Sequence, residues 1–436
     1  METIIRKGFK FKLNDPTGAA IRLIKRFAGC RRFVFNAALA RQKERLDAHA
    51  PLFSYYELAN WLVSDLKADP QYAFLKQASA QSLQQGLMDL SQAIIMFKKG
   101  QINFPKFQKK GMGDSFRYPQ RFHIDEPNSR VYLPKIGWIK YHKSREIVGK
   151  PKNVTVSIEA DGFYVSIQTE TCVDILEANP INIIGLDMGV KNFLTMSDGT
   201  MVKPLALNKE AKKLKKLQRI VSRKLEAAKK NRNKLQNGPK NQKNKQSKRL
   251  EQAKRKVARQ HKRIRDKRQD FLQKMSTTIA KNQSVVVVED LRVKNMSKSA
   301  RGTVEKPGKN VAAKKGLNRS ILAQGWGIFL TFLDYKLAQN GGELIRVPPQ
   351  YTSQKCPICG YTHKDNRKTQ AKFKCLACGY ENNADIVGAI NVLAAGLAVV
   401  KARGGYGALG QPIKREPTEG SVWSSSPGEP VGIPGL

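Results

Sequence analysis

Residues 183–187 read Ile-Ile-Gly-Leu-Asp, and residues 285–289 read Val-Val-Val-Val-Glu. Each segment is a short run of apolar residues that ends in an acid. Runs of this length, bounded by polar residues and rich in β-branched side chains, are typical of strands buried inside a sheet. Phe-Leu-Thr-Met at 193–196 and Glu-Leu-Ile-Arg-Val at 343–347 predict two further strands. These segments therefore predict the core sheet of a unit that opens near Ile181.

Three acids lie where the surrounding pattern is apolar and an unpaired charge would be costly. Asp187 and Glu289 end two of the predicted strands, and Asp385 follows Asn383-Ala384 at the start of an apolar helix predicted over 386–400. Mg²⁺ prefers carboxylate ligands on rigid elements. Hydrolysis of a phosphodiester can use two such ions, one activating water and one stabilising the leaving oxygen. The three acids are therefore candidate catalytic residues and Mg²⁺ ligands.

Each of these acids also has an ordinary structural interpretation. Asp187 can be a turn residue after its strand, Asp385 a helix N-cap, and Glu289 an exposed residue at the end of its strand. Asp290 competes with Glu289, because neighbouring residues of a strand point to opposite faces. Periodicity alone does not choose between these two acids.

Two close pairs of cysteines predict a metal site. Cys356 and Cys359 form one Cys-x₂-Cys pair, Cys375 and Cys378 form the other, and 15 residues separate the pairs. This spacing is typical of a Cys₄ zinc ribbon, whereas two disulfides are the competing interpretation. Four thiolates leave no position open for water, so the zinc is predicted to be structural, with His363 as a surface residue inside the module.

The charge of the chain predicts a polyanionic partner. There are 79 Lys and Arg residues against 35 Asp and Glu residues, a formal net charge of +44. A duplex of about 20 base pairs carries on the order of 40 phosphates, which matches this excess. A protein that coats a ribosome or an anionic membrane is the alternative. No apolar core of a signal peptide appears at the start, and Asp385 and Asn391 interrupt the apolar stretch 384–400, so a cytoplasmic, nucleoid-associated protein is expected.

The N-terminal part predicts a small β unit with a helical insert. Residues 4–13 alternate like a strand, 19–98 have helical periodicity, and 154–167 form a hairpin signal around a turn at 160–162. Residues 210–270 contain 25 Lys and Arg residues and predict a basic helical hairpin, with an apolar residue at every seventh position from Leu250 and a bend at 237–240. A loop is expected up to about Asn318, followed by a helix, and disorder is expected after Arg403.

Several of these segments resemble the TnpB family. Gly-Leu-Asp-Met-Gly-Val-Lys-Asn-Phe at 185–193 is similar to its first RuvC motif, and Val-Val-Val-Glu-Asp-Leu-Arg at 286–292 is similar to the second. Tyr-Thr-Ser-Gln-Lys-Cys-Pro-Ile-Cys-Gly at 351–360 and the segments 373–380 and 382–391 resemble its zinc ribbon and third RuvC motif. In the N-terminal half, the segments 104–107, 133–140 and 154–167 resemble its β unit. The resemblance covers about residues 1–400.

The resemblance implies an activity and its residues. Asp187, Glu289 and Asp385 match the three catalytic acids of the family, with Glu289 preferred to Asp290. Family members are encoded in transposable elements, take a guide RNA from the end of the element, and cut double-stranded target DNA beside a short adjacent motif. A Mg²⁺-dependent endonuclease with a structural Zn²⁺, acting as a monomer, is therefore expected. A miniature type V CRISPR effector and a non-cleaving regulator of transposition are the alternatives.

The resemblance also implies an α/β multidomain protein with an RNase H-like RuvC nuclease domain and a wedge-like β-barrel that carries a helical recognition lobe. The expected boundaries are 1–14 and 115–175 for the β-barrel, 15–114 for the recognition lobe, 180–348 and 381–403 for the nuclease domain with the basic hairpin at 210–281, 349–380 for the zinc ribbon, and 404–436 for a disordered tail.

Overall fold

The computed structural model describes residues 2–174, 182–234 and 247–403. The chain forms two compact units. The first comprises Met1–Asp174 and Lys209–Ile264, and the second comprises Ile175–Asn208 and Arg265–Leu436. The bend predicted at 237–240 and the tail predicted at 404–436 lie outside the described residues.

The first unit contains two antiparallel sheets. Its strands are β1 (Glu2–Lys12), β2 (Ser115–Tyr118), β3 (His123–Asp125), β4 (Arg130–Leu133), β5 (Gly137–Lys140), β6 (Lys150–Glu159) and β7 (Gly162–Asp174). The larger sheet has the order β1-β7-β6-β2, and the smaller has the order β3-β4-β5. Strands β6 and β7 form the predicted hairpin, and their alternate residues Val154, Val156, Val165 and Ile167 are fully buried. The period-two pattern of the sequence thus corresponds to one face packed in the core.

The predicted helical region lies between β1 and β2. It consists of α1 (Gly18–Asp47), α2 (Tyr55–Trp61) and α3 (Ala80–Lys98), with a π-helical turn at Leu62–Leu66 and a 3₁₀ helix at Pro70–Gln77. The side chain of Thr17 accepts a hydrogen bond from the N–H of Ala20, and Ser54 and Glu57 form a reciprocal capping box. These caps satisfy N–H groups that have no partner within their own helix, which fixes where α1 and α2 begin.

The basic segment forms two long helices, α4 (Asn208–Lys234) and α5 (Lys248–Asn282). The apolar position Leu250 is buried, as its seven-residue pattern predicts. By their contacts, residues 209–264 cluster with the first unit, and the rest of α5 clusters with the second. Ion pairs give the physical reason: the Nζ of Lys262 lies 3.5 Å from Glu159 and 3.3 Å from Asp161, at the turn of the β6–β7 hairpin.

The second unit is built on a five-stranded mixed sheet with helices. The strands are β8 (Ile183–Asp187), β9 (Leu194–Met196), β10 (Met201–Val202), β11 (Val285–Glu289) and β12 (Glu343–Val347). Their order is β10-β9-β8-β11-β12. Strands β8, β11 and β12 are parallel, whereas β9 and β10 continue from β8 as an antiparallel meander. Every strand predicted for this unit is present, and β11 is buried along its four valines.

The prediction of a loop up to about Asn318 is partly wrong. After the short helix α6 (Val293–Met296), helix α7 (Val311–Gln324) already includes Asn318, and α8 (Trp326–Gln339) follows. The Nζ of Lys314 donates to the carbonyl of Met296 at 2.8 Å, and the Nδ2 of Asn318 donates to the carbonyl of Ser297 at 2.9 Å. These contacts tie α7 to the end of α6, a long-range arrangement that the lysine-rich sequence does not reveal.

The last described helix, α9 (Ala384–Ala402), lies against the sheet of the second unit. Glycines permit the close approach: a Cβ on Gly185 would lie 2.4 Å from the carbonyl oxygen of Ala389, and one on Gly396 would lie 2.3 Å from a methyl group of Val287. By length and composition α9 could cross a membrane. This differs from the expectation that Asp385 and Asn391 make its apolar stretch too short to do so. Its buried Asn391 donates to the carbonyls of Thr352 and Lys355, as in a core helix.

Candidate active site and zinc module

The three predicted acids lie together in the second unit. Strands β8 and β11 are parallel neighbours in which Leu186 pairs with Val288, so Asp187 and Glu289 end adjacent strands at the same edge of the sheet. Asp385 is the second residue of α9 and affects the ionisation of Asp187. One helical turn further on, a Cβ on Gly388 would lie 2.9 Å from the Oδ2 of Asp187. The glycine therefore leaves space for the Asp187 carboxylate against α9.

The electrostatics of this cluster favour a bound cation. Burial is the main cause that raises the pKa of Asp187 to about 7, and the neighbouring charges of Glu289 and Asp385 contribute to the same increase. Burial also raises the pKa of Glu289. Carboxylates that are buried and close to one another repel, and a divalent cation relieves both the repulsion and the lost hydration. The residues present thus fit the oxygen-donor set that Mg²⁺ requires.

Three residues that the sequence analysis did not select contact the acids. The Nη2 of Arg367 lies 3.1 Å from the Oδ1 of Asp385, and the Nδ2 of Asn192 lies 3.4 Å from its Oδ2. The hydroxyl of Thr352 donates to the Oε1 of Glu289 at 2.6 Å. Asn192 and Thr352 fall inside the segments 185–193 and 351–360, which could have suggested them. Arg367 lies outside every quoted motif, and only its position in the fold identifies it.

The structure distinguishes Glu289 from Asp290. Glu289 is partly buried beside Asp187 and is held by Thr352, whereas the side chain of Asp290 is exposed. The backbone N–H of Asp290 donates to the carbonyl of Val347, which continues the pairing of β11 with β12. The carboxylate that acts on Asp187 is therefore that of Glu289.

The four predicted cysteines form one cluster. The sulfur atoms of Cys356, Cys359, Cys375 and Cys378 all lie within 4.8 Å of one another, and none of them is in a disulfide. Two of the S–S separations are 3.6 and 3.5 Å, close to the edge of about 3.8 Å of a tetrahedron with Zn–S bonds of about 2.3 Å. The backbone N–H of Cys378 is the main group that lowers the pKa of Cys375, to about 6. The set therefore fits a tetrahedral zinc ion, and His363 is not part of it.

A buried asparagine organises the segment that carries the four cysteines (residues 349–380, the zinc module) next to the acids. The Nδ2 of Asn366 donates to the carbonyls of Gln354 and Tyr361, and its Oδ1 accepts from the N–H of Leu376. Asn366 thereby joins the two cysteine turns, because Tyr361 follows the first pair and Leu376 lies within the second. Its neighbour Arg367 is the residue that contacts Asp385. The position of this guanidinium next to the acids is therefore set by the fold of the zinc module.

Three family descriptions match parts of the chain. Residues 166–300 match a family described as "Probable transposase", and residues 326–392 match a "Cas12f1-like, TNB domain". Residues 1–50 match a "Helix-turn-helix domain". In this chain residues 1–50 contain strand β1 and the single 30-residue helix α1, not two helices joined by a turn.

Whole-length relatives are also found. InsQ of Escherichia coli (strain K12), provisionally named an RNA-guided DNA endonuclease, is 46% identical over 414 residues, which cover 95% of this chain and 98% of InsQ. A Streptomyces pristinaespiralis protein with the same provisional name is 28% identical over 402 residues, 90% of each chain. A cryo-EM structure of a Cas12f1–sgRNA–target DNA complex matches 89% of this chain and 98% of its own, with 14% identity and a TM-score of 0.45, too low to support a conclusion. Because the similarity to InsQ extends along nearly the whole of both sequences, this chain belongs to the TnpB family.

Proposed function

We propose that this protein is an RNA-guided DNA endonuclease of a transposable element, and that it cleaves double-stranded DNA beside a short adjacent motif. The observation that carries the proposal is the partly buried cluster of Asp187, Glu289 and Asp385 in a chain that is 46% identical to InsQ along 95% of its length. The net charge of +44 supports a complex that holds a guide RNA and target DNA together.

The roles of the residues follow from their contacts. Asp187, Glu289 and Asp385 would hold two Mg²⁺ ions, which supply an activated water and stabilise the leaving oxygen of the scissile phosphate. Thr352 orients Glu289 through its short hydrogen bond, and Arg367 and Asn192 orient Asp385. Asp187, whose pKa is about 7, would have to lose its proton to serve as a ligand.

The sheet order β10-β9-β8-β11-β12, an antiparallel meander of β8, β9 and β10 followed by β11 and β12 parallel to β8, supports an RNase H-like nuclease domain. We accordingly propose 180–348 with 381–403 as the nuclease domain and 349–380 as a zinc ribbon. We also propose 1–14 with 115–175 as the wedge-like β-barrel and 15–114 as the recognition lobe.

A type V CRISPR effector is the second candidate, favoured by the Cas12f1-like match over residues 326–392. The whole-length similarity to InsQ favours the transposon-encoded form instead. A non-cleaving regulator would be favoured by a missing acid, and all three acids are in place.

Exchange of the guide RNA tests the proposed function. The protein is purified from cells that also express RNA from the end of its own element, and it is given plasmids that carry matched or mismatched targets beside a randomised flank. We expect cleavage only where the guide segment matches and one flank sequence is present. Replacing the guide segment should move the cut site without any change in the protein, because base pairing supplies the sequence recognition. Cleavage at one fixed sequence whatever the guide, or cleavage without RNA, would refute the proposal.

Gly388→Ala should reduce cleavage without unfolding the protein. The new methyl group would lie 2.9 Å from the Asp187 carboxylate, the mobile end of a side chain that can rotate away. We expect a loss of cleavage of about a hundredfold, because displacement of a catalytic group by about 1 Å has an effect of this size. Gly185→Ala is the contrasting variant, since its methyl group would lie 2.4 Å from a backbone oxygen of α9 and should lower the melting temperature. Wild-type cleavage by Gly388→Ala would contradict the assigned position of Asp187.

A further inference from the structure

Two arginines on α1 are held by aromatic rings. The guanidinium carbon of Arg41 lies 5.1 Å from the ring centroid of Phe53 and 4.9 Å from that of Trp61. The guanidinium carbon of Arg45 lies 4.5 Å from the centroid of Phe53. The two guanidiniums therefore share one ring and lie no more than about 10 Å apart. Arg41 and Arg45 are separated by one helical turn and lie on the same side of α1.

The ring that they share, that of Phe53, is fixed in place. Gln42, which is fully buried, donates from its Nε2 to the carbonyl of Phe53 at 2.7 Å and accepts from the N–H of Phe53 at 2.9 Å. Because both backbone groups of Phe53 are held by one side chain of α1, the ring has a defined position against the same helix. A planar guanidinium stacked on an aromatic face loses little water and keeps its N–H edges available for a ligand.

These two arginines differ from their neighbours in having no carboxylate at ion-pair distance, although the charge of Arg45 contributes to lowering the pKa of Glu57. Arg31 forms an ion pair with Asp89, and Arg32 forms one with Asp114. Within the described ranges no carboxylate forms an ion pair with Arg41 or Arg45. Two adjacent cations with no directly paired carboxylate repel each other, and a bound anion would relieve that repulsion.

We propose that Arg41 and Arg45 form a phosphodiester clamp that binds the backbone of a nucleic-acid strand. The planar donors of arginine match phosphate oxygens in a bidentate arrangement, and the absence of a direct ion pair within the described residues leaves them for an external anion. The clamp recognises the backbone and therefore does not depend on sequence. Binding of a phosphodiester backbone by the clamp does not depend on whether the protein cleaves DNA. The assignment of that backbone to a guide RNA or a target DNA rests on the proposed function.

The dependence of binding on salt tests the clamp. Dissociation constants of the full-length protein are measured across a salt series for two probes of arbitrary sequence, a DNA duplex of about 20 base pairs and a single-stranded RNA of about 20 nucleotides. For the variant Arg41→Gln/Arg45→Gln, the slope of log K against log salt should fall by about 1.8 on a duplex or about 1.4 on a single strand. The dissociation constant should rise between about tenfold and a hundredfold at about 0.1 M salt.

The matched control is Lys25→Gln/Lys43→Gln, which removes two exposed charges from the same helix. It should leave the slope unchanged.

If the glutamine variant does not fold, as judged by its melting transition, Arg41→Lys/Arg45→Lys provides the test, because it should keep the slope and still bind several-fold more weakly. A loss on the RNA probe alone assigns the clamp to the guide, and a loss on the duplex alone assigns it to the target. A wild-type slope in the folded glutamine variant, wild-type binding by the lysine variant, or an equal loss in the control would overturn the proposal. Because no cutting is measured, this result is independent of the guide-exchange experiment.

Discussion

Asp187→Asn should abolish DNA cleavage and leave nucleic-acid binding intact. The substitution removes a carboxylate from the partly buried cluster with Glu289 and Asp385 but changes no cation that could contact phosphate. We expect the cleavage rate to fall by at least about a thousandfold, equivalent to about 4 kcal/mol in the activation barrier. Plasmid cleavage under single-turnover conditions measures the first effect, and a gel-shift titration with the guide RNA and a matched target measures the second.

Asp290→Asn is the matched control for that experiment. It makes the same chemical change on an exposed side chain next to Glu289 and should keep cleavage within a few-fold of wild type. Glu289→Gln should behave like Asp187→Asn. Complete loss of cleavage in the Asp290 variant, or retained cleavage in the Asp187 variant, would contradict the assignment of the acids.

Asp187→Asn should also stabilise the Mg²⁺-free protein at high pH. Folding raises the pKa of Asp187 from 3.8 to about 7. Between about pH 4 and pH 7 the folded protein therefore holds a proton that the unfolded chain has released, and stability falls as the pH rises. The penalty at pH 8 is at most about 4 kcal/mol. Without Mg²⁺, Asp187→Asn should melt several degrees above wild type at pH 8 and close to it at pH 4. Equal melting temperatures at pH 8 would show that Asp187 is not destabilised by its surroundings.

Cys359→Ser should remove the bound metal and, with it, most of the cleavage activity. We expect one zinc per chain in the wild type and almost none in the variant, because three thiolates close the shell poorly. Structural zinc contributes on the order of 10 kcal/mol to the folding of small modules, so the segment between the cysteine pairs should lose its structure. Arg367 would then leave Asp385, and cleavage should fall by about a hundredfold or more.

Metal analysis of the purified protein and plasmid cleavage check both parts of this prediction. Cys172→Ser, which removes an exposed thiol outside the cluster, is the control and should retain both zinc and activity. An active wild-type protein that contains no zinc would contradict the prediction. Full cleavage by a zinc-free Cys359→Ser variant would show that the zinc module does not position Arg367.

Local patterns were sufficient to predict the elements that carry the site. The four valines before Glu289, the apolar run before Asp187 and the polar start of α9 each have a periodicity that depends only on nearby residues, and all three elements form where predicted. The cysteine spacing is equally local, because each pair occupies one tight turn. The sequence by itself therefore determined which strands and which helix form, which acids lie at their ends, and which cysteines form the two pairs.

Other features depend on residues that are distant in the chain, and only the tertiary structure decided them. Glu289 and not Asp290 lies beside Asp187 because β8 pairs with β11 across about a hundred residues of sequence. Arg367 reaches Asp385 because the zinc module folds back over the start of α9, and Gly388 is needed because α9 lies directly against β8. Lys262 links α5 to the first unit because it forms ion pairs with Glu159 and Asp161, which lie about a hundred residues earlier in the chain. Periodicity reports which face of an element is buried, whereas the identity of its neighbour is set by the packing of the whole chain.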